Sequence, residues 1–204
     1  RLNDAGWRCR YQPQAECSHL PRTSLHKFLL QRVSYGASAA ALAKRHTGKL
    51  APAKFNVWQA STWLLVLLGM PFIALGVAIV ASASTAQKLR RFPQLRDESF
   101  RISLRGTAQS AQSAASAINR VWWPLAFITA IFSQRLRVLF IAAALAPAVY
   151  EWWIQRPHLD VVRFTLMKML DNAAYGAGVW KGVVAQHNAA PLIPIVKRSA
   201  ENEE

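Results

Sequence analysis

The sequence contains little cysteine and few acidic residues. Cys9 and Cys17 are its only cysteines, so a disulfide-rich scaffold is excluded and a four-cysteine zinc site cannot be assembled. Apolar residues make up 52% of the 204 positions, which is enough to offset the chain entropy lost on folding and argues against intrinsic disorder. The length is that of one domain, or of one domain and a piece of another.

The acidic residues are also unevenly placed. They number 10 against 25 Lys and Arg, and none lies between Glu16 and Asp97, an interval that holds eleven basic residues. Within it, the 33 residues from Phe55 to Gln87 are uncharged and have basic flanks. This arrangement favours an anionic membrane surface. A nucleic-acid-binding protein would interleave basic and aromatic residues instead, so we predict membrane lipid, and no nucleic acid, as a partner.

A turn signal divides the uncharged stretch. Gly69-Met70-Pro71, a sequence compatible with a turn, lies at its centre. Both ends of the stretch have basic flanks. Two basic flanks satisfy the positive-inside rule only if both ends lie on one side of the membrane. We therefore predict a helical hairpin over residues 55–87, with limbs of about 14 to 16 residues that are too short to cross. One kinked spanning helix is the alternative.

A second apolar unit over residues 121–150 repeats this design. Arg135 and Arg137 separate two limbs of about 13 or 14 residues, and an arginine is costly at the bilayer centre, which predicts a turn in a polar layer. Tryptophan pairs at the outer ends, Trp122-Trp123 and Trp152-Trp153, are typical of an interfacial aromatic belt. The alternative is a soluble helical hairpin with tryptophans in its core.

The first 35 residues carry a recognisable motif. Trp7 to Tyr11 predicts a strand, Ala15 to His19 a second extended piece, and Thr23 to Tyr35 a helix. The succession of Arg-Leu-x-x-Ala-Gly-Trp-Arg, a strand, Tyr-x-Pro and a histidine resembles the end of the catalytic domain in family 2 glycosyltransferases. Later blocks are similar to the mycofactocin-system branch of that family: Gln31-Arg32 with Tyr35 to Ala40, Leu42 to His46, Trp122 to Leu125, Trp152-Trp153 with Arg156-Pro157, and Asp171 to Trp180.

The resemblance implies a mainly α chain with a definite organisation. Residues 1–50 would end an α/β catalytic domain of the GT-A type, residues 51–200 would form membrane-associated helical hairpins, and residues 201–204 would be an acidic tail. In the family, an Asp-x-Asp metal motif and a Glu-Asp pair with the catalytic base precede the Arg-Leu with which this sequence starts. The chain alone is therefore expected to be a C-terminal fragment without activity, and no catalytic residue is predicted within it.

The resemblance also implies a function for the full-length protein. It would be an inverting enzyme at the cytoplasmic face of the cell membrane, transferring glucose from a UDP-sugar to the peptide-derived precursor of the mycofactocin redox cofactor. A carboxylate would deprotonate the acceptor hydroxyl, while Mn²⁺ or Mg²⁺ offsets charge on the leaving diphosphate. Two alternatives are a non-catalytic membrane adaptor and a glycosyltransferase acting on a polyprenol or cell-wall acceptor.

The metal ligand that the resemblance implies is His19. In related enzymes a histidine shortly after this strand coordinates the metal together with the Asp-x-Asp motif, and an imidazole suits such a carboxylate site. The alternative is that His19 only packs in its loop. His26, on the following helix, is predicted to be a surface residue.

Three more residues are candidates for contact with the donor diphosphate or the acceptor: Arg22, Gln31 and Arg32. A guanidinium group offers diphosphate permanent charge and bidentate hydrogen bonds. The sequence lacks the Gln-x-x-Arg-Trp form of processive synthases, so a solvated basic helix face is the alternative for Gln31 and Arg32. Asp171 and Tyr175 lie one helical turn apart and are predicted to serve packing.

Overall fold

The described part of the chain, residues 5–18, 23–90, 92 and 98–197 of a computed structural model, is mainly helical, as the sequence predicts. Short strands and tight turns connect the helices. In chain order the elements are α1 (Leu25–Arg45), β1 (Lys54–Asn56), α2 (Val57–Leu68), α3 (Pro71–Leu89), α4 (Ser99–Ala117), a π-helical segment (Ile118–Trp122), α5 (Trp123–Phe132), α6 (Gln134–Gln155), α7 (Val161–Gln186), a 3-10 turn (Ala190–Leu192) and β2 (Ile195–Lys197).

The centre of the fold is the contact between α1 and α7. Glycines let the two backbones touch: a Cβ built on Gly178 of α7 would overlap the carbonyl oxygen of Val33 on α1. A Cβ on Gly36 of α1 would overlap the carbonyl oxygen of Tyr175 in the same way. Helices α1 and α7 therefore share a core, and the predicted division at residue 50 stays a prediction.

Two small clusters of buried side chains extend this core. Ala39, Val121 and Val179 form the first cluster, which joins α1, the π-helical segment and α7. The second cluster includes Phe55 of β1. Strand β1 pairs in parallel with β2, and Phe55 is opposite Val196 in this pairing. The parallel pair brings the end of the described chain back to the start of α2.

Helix α7 begins at a strong N-terminal cap. The Asp160 carboxylate accepts hydrogen bonds from the backbone N–H groups of Arg163, at 3.0 Å, and Val162, at 3.1 Å. The N–H of Arg163 contributes most to holding the pKa of the Asp160 carboxyl below its usual value, because it stabilises the charged form. The cap fixes where α7 begins, and therefore which of its residues face α1.

The predicted break at Gly69-Met70-Pro71 is confirmed. Helix α2 starts at a capping box between Asn56 and Gln59 and ends at Gly69, whose φ of 81° is left-handed, and α3 starts at Pro71. The predicted limb lengths are wrong, because α2 has 12 residues and α3 has 19. Helix α2 is shorter because Asn56 caps its start and Gly69 ends it, and α3 is longer because it continues past Gln87 to Leu89.

The second apolar unit breaks at Ser133, two positions before the predicted turn at Arg135. Ser133 caps α6 through its hydroxyl, so Arg135 and Arg137 lie in the first turn of α6 and not in a turn between the limbs. The limbs have 10 and 22 residues. Two of the described helices, α3 and α6, are long and apolar enough to cross a membrane by length and composition, which corrects the expectation that every limb is too short.

The two tryptophan pairs have different environments. Trp122 packs against both core clusters, and its Nε1 donates a hydrogen bond to the carbonyl oxygen of Leu192 at 2.8 Å. Trp153 is exposed over 58% of its surface. Trp122 therefore has the packing role of the soluble-core alternative, while Trp153 lies at the surface with the Arg156 guanidinium carbon 6.0 Å from the centre of its ring.

The predicted elements before α1 differ from those observed. Trp7 to Tyr11 is not a strand, and Trp7 and Tyr11 are 70% and 90% exposed. Among the described residues this segment has no neighbouring strand to pair with, and a strand needs such a partner to form. Helix α1 begins after Ser24, not Thr23, and runs on to Arg45, because the alanine-rich sequence after Tyr35 sustains the helix.

Candidate functional site at the α1–α7 junction

The predicted metal ligand His19 and the predicted diphosphate contact Arg22 lie outside the described residues. Elsewhere in the described part of the chain, no group of three His, Cys, Asp or Glu residues could hold a metal ion. The described residues therefore do not provide a ligand set for Mn²⁺ or Mg²⁺, and the metal role of His19 stays a prediction.

Arg32 forms a bidentate ion pair with Asp171 across the α1–α7 junction. Its Nε donates to Asp171 Oδ1, and its Nη2 donates to Oδ2 at 2.9 Å. The two side chains are 25% and 19% exposed, and the guanidinium also lies 5.8 Å from the centre of the Phe28 ring. A partly buried bidentate pair is among the stronger ionic contacts in proteins. The structure thus gives Arg32 and Asp171 a packing role, and contact of Arg32 with a diphosphate stays a prediction.

Gln31 does not converge with Arg32. Its Nε2 donates to the hydroxyl of Tyr35, one turn along α1, at 2.7 Å. Tyr35 is 53% exposed, so this pair lies at the helix surface. Adjacent helical residues point about 100° apart, which explains why two neighbours in the sequence face different surroundings.

Arg120 is a further residue of the junction that the sequence analysis did not single out. It lies in the π-helical segment, and its guanidinium carbon is 4.4 Å from the centre of the Tyr175 ring on α7. This distance corresponds to a cation–π contact. Its Nε is buried and has no hydrogen-bond partner in the part of the chain that the structure describes. Two residues of α7 thus contact two different arginines: Asp171 pairs with Arg32, and Tyr175 contacts Arg120.

The local sequence explains why the helix widens at Arg120. Pro124 has no N–H to donate to the carbonyl oxygen of Arg120, four residues earlier, and its ring would clash with that oxygen in a regular helix. A π-helical turn removes the clash, and such turns are frequent at functional sites. The freed carbonyl lies against Gly176, where a Cβ would overlap it. Pro124 is the signal by which the sequence could have revealed this feature.

A cavity of about 220 Å³ opens beside Arg120 and Tyr175. Lys49, from the loop after α1, and Ser116, at the end of α4, also line it. The remaining lining is mostly apolar and includes Val179 of the first core cluster. The cavity therefore carries two cationic side chains and no carboxylate.

Helices α3 and α6 carry a broad apolar surface. Only 17% of the apolar window of α3 and 11% of that of α6 are buried, so neither helix is enclosed by the described part of the chain. Two highly exposed phenylalanines lie beside the helix breaks: Phe72 is 87% exposed and Phe132 84%. This surface needs a cover other than the described chain.

The two helix breaks lie close together and share a pair of arginines. Arg135 Nη1 donates to the carbonyl oxygen of Leu68 at the end of α2, at 3.1 Å. Arg137 Nε donates to the carbonyl oxygen of Ala130 near the end of α5, also at 3.1 Å. Cations at helix C-termini satisfy carbonyls that lack partners. The arginines that were predicted to mark a turn therefore cap two helices.

The chain is similar in sequence to known proteins. No protein-family model and no solved structure matches it. Over 97% of its length it is 34% identical to a protein named pre-mycofactocin glycosyltransferase, found in two strains of Mycobacterium tuberculosis. The chain resembles the pre-mycofactocin glycosyltransferases. This finding confirms the resemblance given by its motifs.

The similarity extends over nearly the whole chain, but the chain spans 44% of the length of these pre-mycofactocin glycosyltransferases. The aligned part includes the α1–α7 junction, because 97% of the chain is covered. The activity, donor and acceptor of the whole protein are therefore matters for proposal.

Proposed function

We propose that this chain belongs to a membrane-associated glycosyltransferase of mycofactocin biosynthesis. The observation that carries the proposal is the 34% identity to pre-mycofactocin glycosyltransferases over 97% of the chain. The full-length protein would be a family 2 enzyme whose GT-A catalytic domain uses a nucleotide-sugar donor. We expect the donor to be UDP-glucose and the acceptor to be the peptide-derived mycofactocin precursor.

The proposed reaction is an inverting single displacement. An acceptor hydroxyl oxygen forms a bond to the anomeric carbon of glucose as the bond from that carbon to the diphosphate oxygen breaks, and UDP leaves. A carboxylate of the catalytic domain takes the hydroxyl proton. In this chain, Arg22 would contact the donor diphosphate, since guanidinium groups bind phosphate oxygens in pairs. A divalent cation would compensate the charge on UDP, with His19 as one ligand.

The helices α2, α3, α5 and α6 would hold the enzyme at the cell membrane. Their exposed apolar side chains supply the burial energy, and the basic flanks of the uncharged stretch supply attraction to anionic lipid. The catalytic side would face the cytoplasm, where UDP-glucose is available. A non-catalytic adaptor would use the same surface, so the activity assay must separate the two.

The activity prediction concerns His19. In membranes that contain the full-length protein, UDP-glucose and Mn²⁺, we expect addition of hexose to the mycofactocin precursor, measured by mass spectrometry. Replacing His19 with alanine should lower the rate by about 10- to 100-fold, the usual loss when a metal site is weakened. His26→Ala is the matched control, because His26 is exposed on α1.

Each of the other possible results of this assay would contradict a different part of the proposal. Equal hexose addition by the His19→Ala variant would remove His19 from the metal site and leave the enzyme proposal intact. No transfer from any common nucleotide sugar to this precursor, by well-folded protein, would contradict the mycofactocin proposal. Transfer to a polyprenol acceptor in the same membranes would support the cell-wall alternative.

The membrane prediction concerns Phe72 and Phe132, beside the helix breaks. Replacing both with serine should weaken partition of the chain into vesicles containing anionic lipid by at least about 10-fold, because burial of one phenylalanine contributes about 1.5–3 kcal/mol. Flotation of the vesicles on a density gradient measures the partition. Val184→Ser, on α7 and 69% exposed, is the control. Equal flotation of the double variant and the control variant would exclude this surface as the docking face.

A further inference from the structure

The cavity beside Arg120 has the properties of a binding site for an anion. We propose that it binds a phosphate group, with Arg120 and Lys49 as the cationic contacts and Tyr175 as the wall that holds the Arg120 guanidinium in place. This proposal does not depend on the glycosyltransferase activity, because it rests on the charge and geometry of the α1–α7 junction.

The first argument is that Arg120 lacks a counter-charge within the described chain. Its Nε is buried without a hydrogen-bond partner, and no described carboxylate forms an ion pair with its guanidinium. The Tyr175 ring attracts the cation but accepts none of the in-plane N–H bonds. A buried N–H of a cation that has no acceptor is destabilising, and an anion in the cavity would supply an acceptor for the Arg120 Nε.

The second argument is that the described carboxylates of α6, α7 and the α7 cap are engaged elsewhere. Asp171, one turn before Tyr175, is held by Arg32. Glu151 on α6 pairs with Lys168 at 2.9 Å, and Asp160 caps α7. The chain carries a net charge of +15, so an external anion is the natural partner for a cation in this part of the fold.

The third argument is that the backbone around Arg120 is fixed on both sides. Trp180 Nε1 donates to the carbonyl oxygen of Val121 at 2.7 Å, and Trp122 Nε1 donates to that of Leu192 at 2.8 Å. These bonds hold the π-helical segment between α7 and the 3-10 turn. A guanidinium on such a rigid segment is positioned before any ligand arrives, which reduces the entropy lost on binding.

The residues that line the cavity indicate the charge of its ligand. One guanidinium and one ammonium group together match the two negative charges of a phosphate monoester better than the single charge of a carboxylate. Lys49 lines the cavity and is exposed, whereas the Arg120 Nε is buried. A phosphate would thus enter past Lys49. The chemistry is the same whether the phosphate belongs to a soluble phosphomonoester or to a lipid headgroup, so the test separates these sources.

The test uses the full chain in neutral detergent, with inorganic phosphate as the probe at constant ionic strength. Phosphate should raise the Tm, followed by tryptophan fluorescence, relative to chloride. Arg120→Gln should abolish the rise, and Lys49→Gln should weaken phosphate binding by about 10-fold or more, since a charge-assisted hydrogen bond contributes roughly 1.5–3 kcal/mol. Arg163→Gln is the control, because the Arg163 side chain is 78% exposed and pairs with Asp160.

A second arm replaces phosphate with lipid discs of phosphatidylcholine containing phosphatidic acid. A Tm rise with these discs alone, lost in Arg120→Gln and kept in Arg163→Gln, would assign the site to a lipid headgroup. If Arg120→Gln does not fold, the exposed Lys49→Gln variant and the charge-retaining Arg120→Lys variant carry the comparison. No rise with either probe, or an equal rise in Lys49→Gln and Arg163→Gln, would overturn the proposal.

Discussion

Replacing Gly178 with alanine is expected to lower the free energy of unfolding by about 2–3 kcal/mol, the upper part of the range for overpacking a core, because the clash is with backbone. The added Cβ would overlap the backbone carbonyl of Val33, which cannot rotate away as a side chain can. Helices α1 and α7 would have to separate, and the buried contacts of Ala39 and Val179 would loosen with them. Chemical denaturation in one detergent, followed by tryptophan fluorescence, measures the change.

The chain offers a matched control for this substitution. Gly76 is also in the middle of a helix, but a Cβ there meets no atom within 4 Å. Gly76→Ala should therefore be neutral or stabilise the chain by up to about 1 kcal/mol, because alanine favours a helix more than glycine does. Similar stabilities for Gly178→Ala and Gly76→Ala would show that α1 and α7 are not in contact through their backbones.

Breaking the ion pair between Arg32 and Asp171 should have the next largest effect. Asp171→Asn or Arg32→Gln is expected to cost about 1–3 kcal/mol, because each leaves a partly buried charge without its partner. The double variant should cost less than the sum of the two, which gives a coupling energy in a double-mutant cycle. The exposed pair of Arg163 and Asp160 is the control, and Arg163→Gln should change stability by less than about 1 kcal/mol.

The same variants decide whether Arg32 contacts the donor. If Arg32 only packs, Arg32→Gln and Asp171→Asn should lower glycosyl transfer by the full-length protein to the same modest extent. If Arg32 binds diphosphate, Arg32→Gln should raise the KM for the donor by about 10-fold or more, while Asp171→Asn, which releases Arg32, should not. We expect the first result. If Arg32→Gln raises the KM for the donor and Asp171→Asn does not, the result would support contact of Arg32 with the donor diphosphate.

Local signals in the sequence gave correct predictions where neighbouring residues suffice to define the structure. The break at Gly69-Met70-Pro71 follows from the left-handed φ that glycine tolerates and from the helix start that proline favours. The apolar character of α3 and α6, and the motifs that resemble glycosyltransferases, are likewise properties of continuous segments. Helix lengths were predicted less well, because the cap at Asn56 shortens α2 and α3 continues past Gln87, the predicted end of the hairpin, to Leu89.

Some local predictions were wrong because the structure depends on a distant segment that the local sequence does not show. Trp7 to Tyr11 has the alternation of a strand, but a strand forms only beside another strand, and none lies next to it in the described part of the chain. Trp122 was expected at a membrane interface, whereas the parallel pairing of β1 and β2 brings Leu192 to its indole N–H. In both cases a distant segment decides what the local sequence does.

The sequence by itself determined the helical character of this chain, its main break, its basic and apolar surfaces, and its resemblance to pre-mycofactocin glycosyltransferases. Only the tertiary structure decided that Arg32 meets Asp171, that Tyr175 meets Arg120, and that a cavity forms where α1, α7 and the π-helical segment come together. The physical reason is distance along the chain. Arg32 and Asp171 are separated by 139 positions, and contacts of this kind arise from the glycine-mediated approach of two helices, which no pattern within either helix records.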